Sequence, residues 1–473
     1  MIIVVLLLAL GLRLIQINQS LWLDEADNVL AARMFDFSSF ISKYSIGDYH
    51  PPGYFALIWI WTHTFGFSEI SVRLPSILLG VGTVFFTYLI GKELFNKRVA
   101  IIGSLLLAIA PLHVYYSQEA RMYSLSAFSV ASLSYFLIKM IKGKRFAWIG
   151  YAISATLVLY SDYVTYLIFP AHFIFLLITS QKVWKKWFAS LAISAITFLP
   201  WMTVFPQQIM VGQKAAIDLP GWKQVAGGAD LKNLVLVWIK ILVGRISFDN
   251  KYIYGGVVSI LSGLSFVGIG KALKGKIEFP QKLLIIWFLV PLILAWGISF
   301  YIPMLSYFRM IYILPAFYLL LAYGISSLPK IFPKIVLSIF ILISLFCLGI
   351  YYTNPKFQRE DWRDATKFID NNAKESSIVL FEDNHVKFPF LYYKESNVPA
   401  FGGLKNVQAR TLNDVENIDK LLDGKKQIYL FEYLVEITDP QRLLEKKIRE
   451  LGFVQKQAYD FPGVGFVTLY THF

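Results

Sequence analysis

A chain of 473 residues that is 56% hydrophobic and 16% aromatic, with a mean hydropathy of +0.55, lies outside the range of soluble globular domains and reads as a polytopic membrane protein. The formal net charge of +14 does not point to nucleic acid, because the lysines collect in short loops between apolar runs. The one cysteine, Cys347, lies inside such a run, which excludes a disulfide framework and a cysteine metal site.

About 20 mostly apolar residues cross a bilayer core. Crossings are expected at 1–17, 70–91, 98–116, 122–141, 146–160, 163–180, 186–205, 252–270, 283–300, 307–327 and 335–352. The first run has no basic leader and no small-x-small cleavage pattern, so it reads as an uncleaved helix. Arg13, near its outer end, is expected to snorkel to the interface. Alternate loops carry Lys92, Lys97 and Arg98; Lys139, Lys142, Lys144 and Arg145; Lys182, Lys185 and Lys186; Lys271, Lys274, Lys276 and Lys282; and Lys330 and Lys334, opposed only by Glu93 and Glu278. The positive-inside rule makes those loops and the N-terminus cytoplasmic. Residues 18–69, the 117–121 turn, the Ser161-Asp162 turn and the C-terminal region then face outward across the cell membrane.

Two apolar stretches, 52–65 and 234–248, are too short for ordinary crossings and read as helices lying along the outer surface. Beyond Tyr352 the long apolar runs stop. Helices are expected at 361–371 and 440–451 and strands at 377–381, 427–431 and 464–470. The division is therefore a transmembrane domain at 1–352, with outer-face loop helices in 18–69 and 206–250, and a small extracytoplasmic α/β domain at 353–473.

The polar residues on the expected outer side are the candidates for chemistry. Leu21-Trp22-Leu23-Asp24-Glu25-Ala26-Asp27-Asn28 places acids where the chain leaves the first helix, and partial desolvation there can tune a carboxylate into a base. Asp27, Asp36 and Asp48 read as a solvated face. His50-Pro51-Pro52-Gly53 follows in the same loop. Residues 111–123 pack His113, Glu119, Arg121 and several hydroxyls into one turn, where Glu119 and Arg121 either line a site or neutralise each other. The fifth crossing is about 22 Å long at about 1.5 Å per residue, which leaves Asp162 near the hydrocarbon boundary as either a turn former or a functional acid. Arg73 and Arg309 run against the inward bias of basic residues; each suits a phosphate held by paired hydrogen bonds, or the interface. No His pair, Walker, dinucleotide or nucleophile-elbow pattern is present. A divalent cation on Asp24, Glu25 or Glu119 is compatible with the sequence but not required by it.

The order of these motifs resembles the GT-C fold, polyprenyl-phosphate-sugar-dependent glycosyltransferases, the superfamily of the protein O-mannosyltransferases and lipid A aminoarabinose transferases. The resemblance is carried by Leu21 to Ala26, His50-Pro51-Pro52, Phe65-Gly66 through Ser68-Glu69, Arg73-Leu74-Pro75-Ser76 and Tyr115 through Tyr123, with further support from Tyr307-Phe308-Arg309 and Asp361-Trp362-Arg363-Asp364. It implies a GT-C membrane domain of about 11 transmembrane helices. It also implies transfer of one sugar from a polyprenyl-phosphate carrier to a protein, lipid or glycan hydroxyl on the outer face, with inversion. Asp24 takes the position of the base, with Glu25 its neighbour. Arg121 and Arg309 would stabilise the departing phosphate, and His50, Arg73, Glu119 and Asp162 would help bind donor or acceptor. Several relatives have Lys in place of His50 and His in place of Asp162, so the sugar and any metal are not carried over. Two other classes compete: a flippase of lipid-linked saccharides, which would place polar groups near the midplane, and a lipid-linked glycan polymerase or ligase.

Overall fold

The computed structural model describes residues 1–218 and 227–472, so part of the expected 206–250 loop region lies outside the described residues. Every expected crossing coincides with apolar helix. Glu69–Leu94, Tyr123–Ile141, Lys251–Ala272, Phe279–Ile298 and Phe332–Thr353 are long and apolar enough to cross a membrane by themselves. Lys97–Ala108 with Pro111–Ser117, and Trp184–Met202 with Phe205–Lys214, are pairs bent by 61°. Ile2–Leu14, Ala147–Ser161, Tyr163–Ile178 and Ile311–Ser326 are shorter. The chain is a multi-pass membrane protein. The first bend has a local cause: a residue before proline avoids the helical region, and Ala110, ahead of Pro111, is extended at ψ 117°.

By contacts the chain divides into two compact units. The first comprises Met1–Ile17, Phe37–Gly212 and residues 227–353; the second comprises Asn18–Asp36 and Asn354–Phe473, with residues 213–218. This differs from the expected boundary, because Asn18–Asp36 groups with the C-terminal residues and not with the membrane helices.

In the first unit Arg13 does not snorkel. It is 0% exposed, and its guanidinium donates to the Ala9 and Ala108 carbonyls at 2.8 and 3.1 Å and meets His113 Nδ1 at 2.6 Å. A cation among helices keeps its charge by such bonds, and here they join the helix Ile2–Leu14 to the 108–113 turn. Gln118 continues the join, donating to the carbonyls of Arg13 and Ile15 at 3.0 and 2.6 Å and accepting from Tyr351 Oη at 3.0 Å.

The second unit is built on a five-stranded sheet in the order β2-β1-β3-β5-β4. The strands are β1 (Ser377–Phe381), β2 (Ala400–Gly402), β3 (Gln427–Phe431), β4 (Val454–Phe461) and β5 (Gly465–Thr471). β1 pairs in parallel with β2 and β3, while β5 runs antiparallel to both β3 and β4. Alternation splits the central strands between two cores. Ile378, Leu380, Ile428 and Leu430 pack with Leu443, Leu444 and Ile448 of the helix Leu443–Glu450. Val379, Phe381, Tyr429 and Phe431 pack with Trp362, Ala365 and Ile369 of the helix Trp362–Asn372. Leu23 joins this second core, at the start of the helix Leu23–Met34, which packs against the helix Phe388–Tyr393.

Candidate active site

Asp24 and Glu25 lie in the second unit, in the first turn of Leu23–Met34. The segment leading to them is sewn to the C-terminal residues. Gln19 Oε1 accepts from the Arg359 amide at 2.8 Å, Ser20 Oγ from the Arg363 amide at 3.1 Å, and the Asn18 carbonyl from Arg363 Nη2 at 2.7 Å. The Leu21 amide donates to Tyr393 Oη at 2.8 Å. Trp362 is core: it is 0% exposed and stacks on Phe431.

Asp24 is half-buried. The amides of a helix N-terminus favour negative charge there, so its ionised form is stabilised by its place in the chain. Glu25 is fully buried, and its Oε2 accepts from the Trp22 amide at 3.4 Å. It closes the helix start from the third helical position, a structural role beside whatever else it does. Asp27, expected on a solvated face, lies close enough to help hold a proton on His385, whose Nδ1 is 2.7 Å from Asp383 Oδ1.

The other sequence candidates lie in the first unit. His50 is buried, with Nδ1 2.5 Å from Asp48 Oδ1, and Arg121 Nη1 lies 3.7 Å from Asp48 Oδ2. Asp48 is thus not part of a solvated face. Burial alone would raise its carboxyl, but the charge and hydrogen bond of His50, joined by Arg121, hold it below the ordinary carboxylate range. Gln208, unmarked in the sequence, fixes this loop by donating to the carbonyls of Ser45, Asp48 and His50 at 2.8, 2.8 and 3.1 Å. Gln208 Oε1 in turn accepts from Tyr163 Oη, which accepts from Trp201 Nε1 at 3.1 Å.

Glu119 is buried in the same turn as Arg121. Arg245 Nη1 donates to Tyr115 Oη and its guanidinium lies 4.7 Å from the Tyr115 ring centre, with the charges of Tyr116, Tyr307 and Glu119 acting on it. Arg245 is exposed, and is a basic group that sequence reasoning did not single out: it follows a short apolar helix, and its local signal was the Gly244 that ends that helix.

Three candidates show structural contacts. Arg73 is 1% exposed and donates to the Ile17 carbonyl at 2.8 Å, bracing the chain end that follows the first helix. Asp162 Oδ1 caps the turn at Val164 N, 3.2 Å away, while Oδ2 is buried without a hydrogen-bond partner. Arg309 donates to the Pro303 carbonyl at 2.9 Å and lies beside the Phe308 ring. Among the described residues, no group of three or more His, Cys, Asp or Glu is placed to hold a metal ion.

Residues 49–205 match the family model described as dolichyl-phosphate-mannose-protein mannosyltransferase. YkcB of Bacillus subtilis (strain 168), a mannosyltransferase by name, is 30% identical over 167 residues, which is 35% of this chain and 23% of YkcB. YycA of the same organism, likewise named, is 26% identical over 188 residues, 37% of this chain and 27% of YycA. The matched region thus spans about a quarter of each of these relatives. Among solved structures, ArnT from Cupriavidus metallidurans bound to undecaprenyl phosphate aligns with a TM-score of 0.66 at 11% identity, covering 99% of this chain and 97% of that one. The oligosaccharyltransferase AglB from Archaeoglobus fulgidus, in complex with an inhibitory peptide and a dolichol-phosphate, aligns at 0.57 and 12%, covering 99% and 73%. The fold is GT-C.

Proposed function

We propose that this GT-C chain is an integral-membrane glycosyltransferase that moves one sugar from a polyprenyl-phosphate carrier to a hydroxyl of a protein, lipid or cell-envelope glycan. The observation that carries the reading is the likeness along 99% of the chain to ArnT bound to undecaprenyl phosphate, joined by the family match at 49–205. The lysine-rich loops support an outward-facing site in the cell membrane, with the 353–473 domain on that side.

In a single displacement the acceptor O–H bond breaks and its proton passes to Asp24. The acceptor oxygen bonds the anomeric carbon as the bond from that carbon to the phosphate oxygen breaks, its electron pair leaving with the phosphate. The sugar is thereby inverted. Asp24 suits the role of base because it is half-buried and follows a segment held by bonds to Arg359, Arg363 and Tyr393. Guanidinium groups suit the departing phosphate; Arg121, Arg309 and the exposed Arg245 are assigned that role. His50, Arg73, Glu119 and Asp162 are assigned to substrate binding. Glu25 shapes the helix start that presents Asp24.

The test is incubation of the purified chain with a panel of polyprenyl-phosphate sugars, scoring donor consumption and the mass gained by acceptor. Addition of a single sugar is expected. Asp24→Asn should lower transfer at least about a hundredfold while the protein still inserts and folds. Retained transfer would remove Asp24 as the base, and addition of a preassembled glycan would favour the polymerase or ligase class.

A further inference from the structure

Glu360 was not a candidate in the sequence, yet its carboxyl is held at the start of the Asp24 helix. We propose that Glu360 forms a carboxyl pair with Asp24, as a positioning residue that sets how tightly Asp24 holds the proton it receives. The inference rests on Asp24 being the base.

The geometry is specific. Glu360 Oε2 accepts from Trp362 Nε1 at 2.7 Å and Oε1 from Tyr433 Oη at 2.8 Å. The amide of Leu23, immediately ahead of Asp24, donates to the same carboxyl. The turn between β4 and β5 closes over the backbone: Gly463 has φ +77°, and a Cβ there would meet Glu360 Cα at 2.9 Å and Cγ at 3.1 Å. The next amide, of Asp361, donates to the Pro462 carbonyl at 2.8 Å. Glu360 therefore has little freedom to turn away from Leu23 and Asp24.

Three donors would normally leave such a carboxyl ionised well below neutral pH. Burial outweighs them, and with the charge of Asp24 added it pushes Glu360 up to about 7. The groups facing it include Asp24 and the Leu23 amide from Leu23–Met34, Trp362 from the helix Trp362–Asn372, and Tyr433 beyond β3. Burial raises the Tyr433 hydroxyl far above its usual range, with Glu360 and Asp24 adding to the effect, so it remains a donor throughout. Of the sequence neighbours, Asp361 Oδ1 caps the Asp364 amide at 3.4 Å and the Arg359 amide is held by Gln19.

Near neutral pH the pair thus passes between one negative charge and two. With Glu360 protonated, its negative charge no longer bears on Asp24. Once Glu360 ionises, repulsion makes a proton on Asp24 more favourable, and the base strengthens. The proton itself still goes from the acceptor oxygen to Asp24; Glu360 exchanges its own with water.

The full-length protein in lipid nanodiscs supplies two readouts. The first is pH-difference infrared spectroscopy of protonated carboxyls. A carboxyl band should titrate near pH 7, vanish in Glu360→Gln, and titrate at lower pH in Asp24→Asn, because the repelling charge is gone. A Glu360 band whose titration is the same with and without Asp24 overturns the pair, whatever the activity. The second is the pH profile of kcat/KM for a polyprenyl-phosphate sugar. The wild type should rise roughly three- to tenfold through neutrality, Glu360→Gln should stay at the low-pH level, and Glu360→Asp should restore the rise. A purely structural Glu360 would lower all rates and leave the shape unchanged, which also overturns the proposal. If Asp24→Asn still transfers sugar while the band shifts, the pair stands and the base assignment fails.

Discussion

Glu382 follows the last residue of β1 and is 2% exposed, with Oε2 buried and without a hydrogen-bond partner; Asp439, 0% exposed, leaves Oδ1 in the same condition. Burial, with the charges of Asp439 and Glu432 added, pushes the Glu382 carboxyl well above its ordinary 4.5. Above 4.5 the unfolded chain has lost this proton and folding must take it up again, so the group costs stability as pH rises through the neutral range. Glu382→Gln, which carries no charge to bury, is expected to raise the melting midpoint at pH 7.5 by roughly 4 °C and to give no gain at pH 4. Thermal unfolding of both proteins at the two pH values checks it; an equal shift at both would show that charge is not the cause. Single residues of this kind were the least legible in the sequence. Asp48 read as solvated because His50 is a near neighbour of unknown orientation and Arg121 comes from a turn far along the chain. Glu360 carried no signal at all, since its burial and its neighbour Asp24 are set by packing between segments far apart in the chain. Asp24 was singled out by its place after an apolar helix and by motif order, which are local.

Elements were far more legible, because their periodicity and apolarity are written within a few turns. The crossings and the strands β1, β3 and β5 fell near their expected places. β4 was missed for a physical reason: it is an edge strand, exposed along most of its length, and its sequence Val-Gln-Lys-Gln-Ala-Tyr-Asp-Phe has no buried face to announce it. β2 is only three residues long. The interior of Glu69–Leu94 offers a test of helix packing. A Cβ at Gly80 would lie 2.4 Å from Ser117 Oγ and 3.2 Å from Arg13 Nε, which means the helix depends on a missing side chain to approach the Arg13 brace. Gly80→Ala should cost about 1–3 kcal/mol, seen as a lowered unfolding midpoint in detergent. Ser117→Gly in the same chain should recover part of the loss. An unaltered midpoint in the single variant would mean that the two helices can part without cost.

On the scale of the whole molecule, sequence reading assigned Asn18–Asp36 to the membrane portion because those residues lie between two of its helices. Their packing assigns them to the C-terminal unit, through Gln19, Ser20, Leu21 and Leu23. A chain cut after Thr353 keeps the internal contacts of the helical unit but strips this segment of the bonds to Arg359, Arg363 and Tyr393. Such a chain is expected to insert with its helical content retained, to lose transfer by at least about a hundredfold, and to be cut by protease within 18–36 where the full chain resists. Circular dichroism, donor turnover and limited proteolysis measure the three parts. Full turnover would show that the C-terminal unit has no part in presenting Asp24.

The same long-range packing fixes an order of events during synthesis. Asp24 leaves the ribosome early, but Glu360, Trp362, Tyr393 and Tyr433, which hold the segment around it, are translated only after the final apolar helix. β3, the strand that ends just before Tyr433, also needs β5 beside it, and β5 is translated later still. Closing a loop of that length is slow and must wait for its far end. The nascent chain therefore threads its helices into the membrane while Asp24 is still loosely held, and the surroundings of Asp24 are completed last.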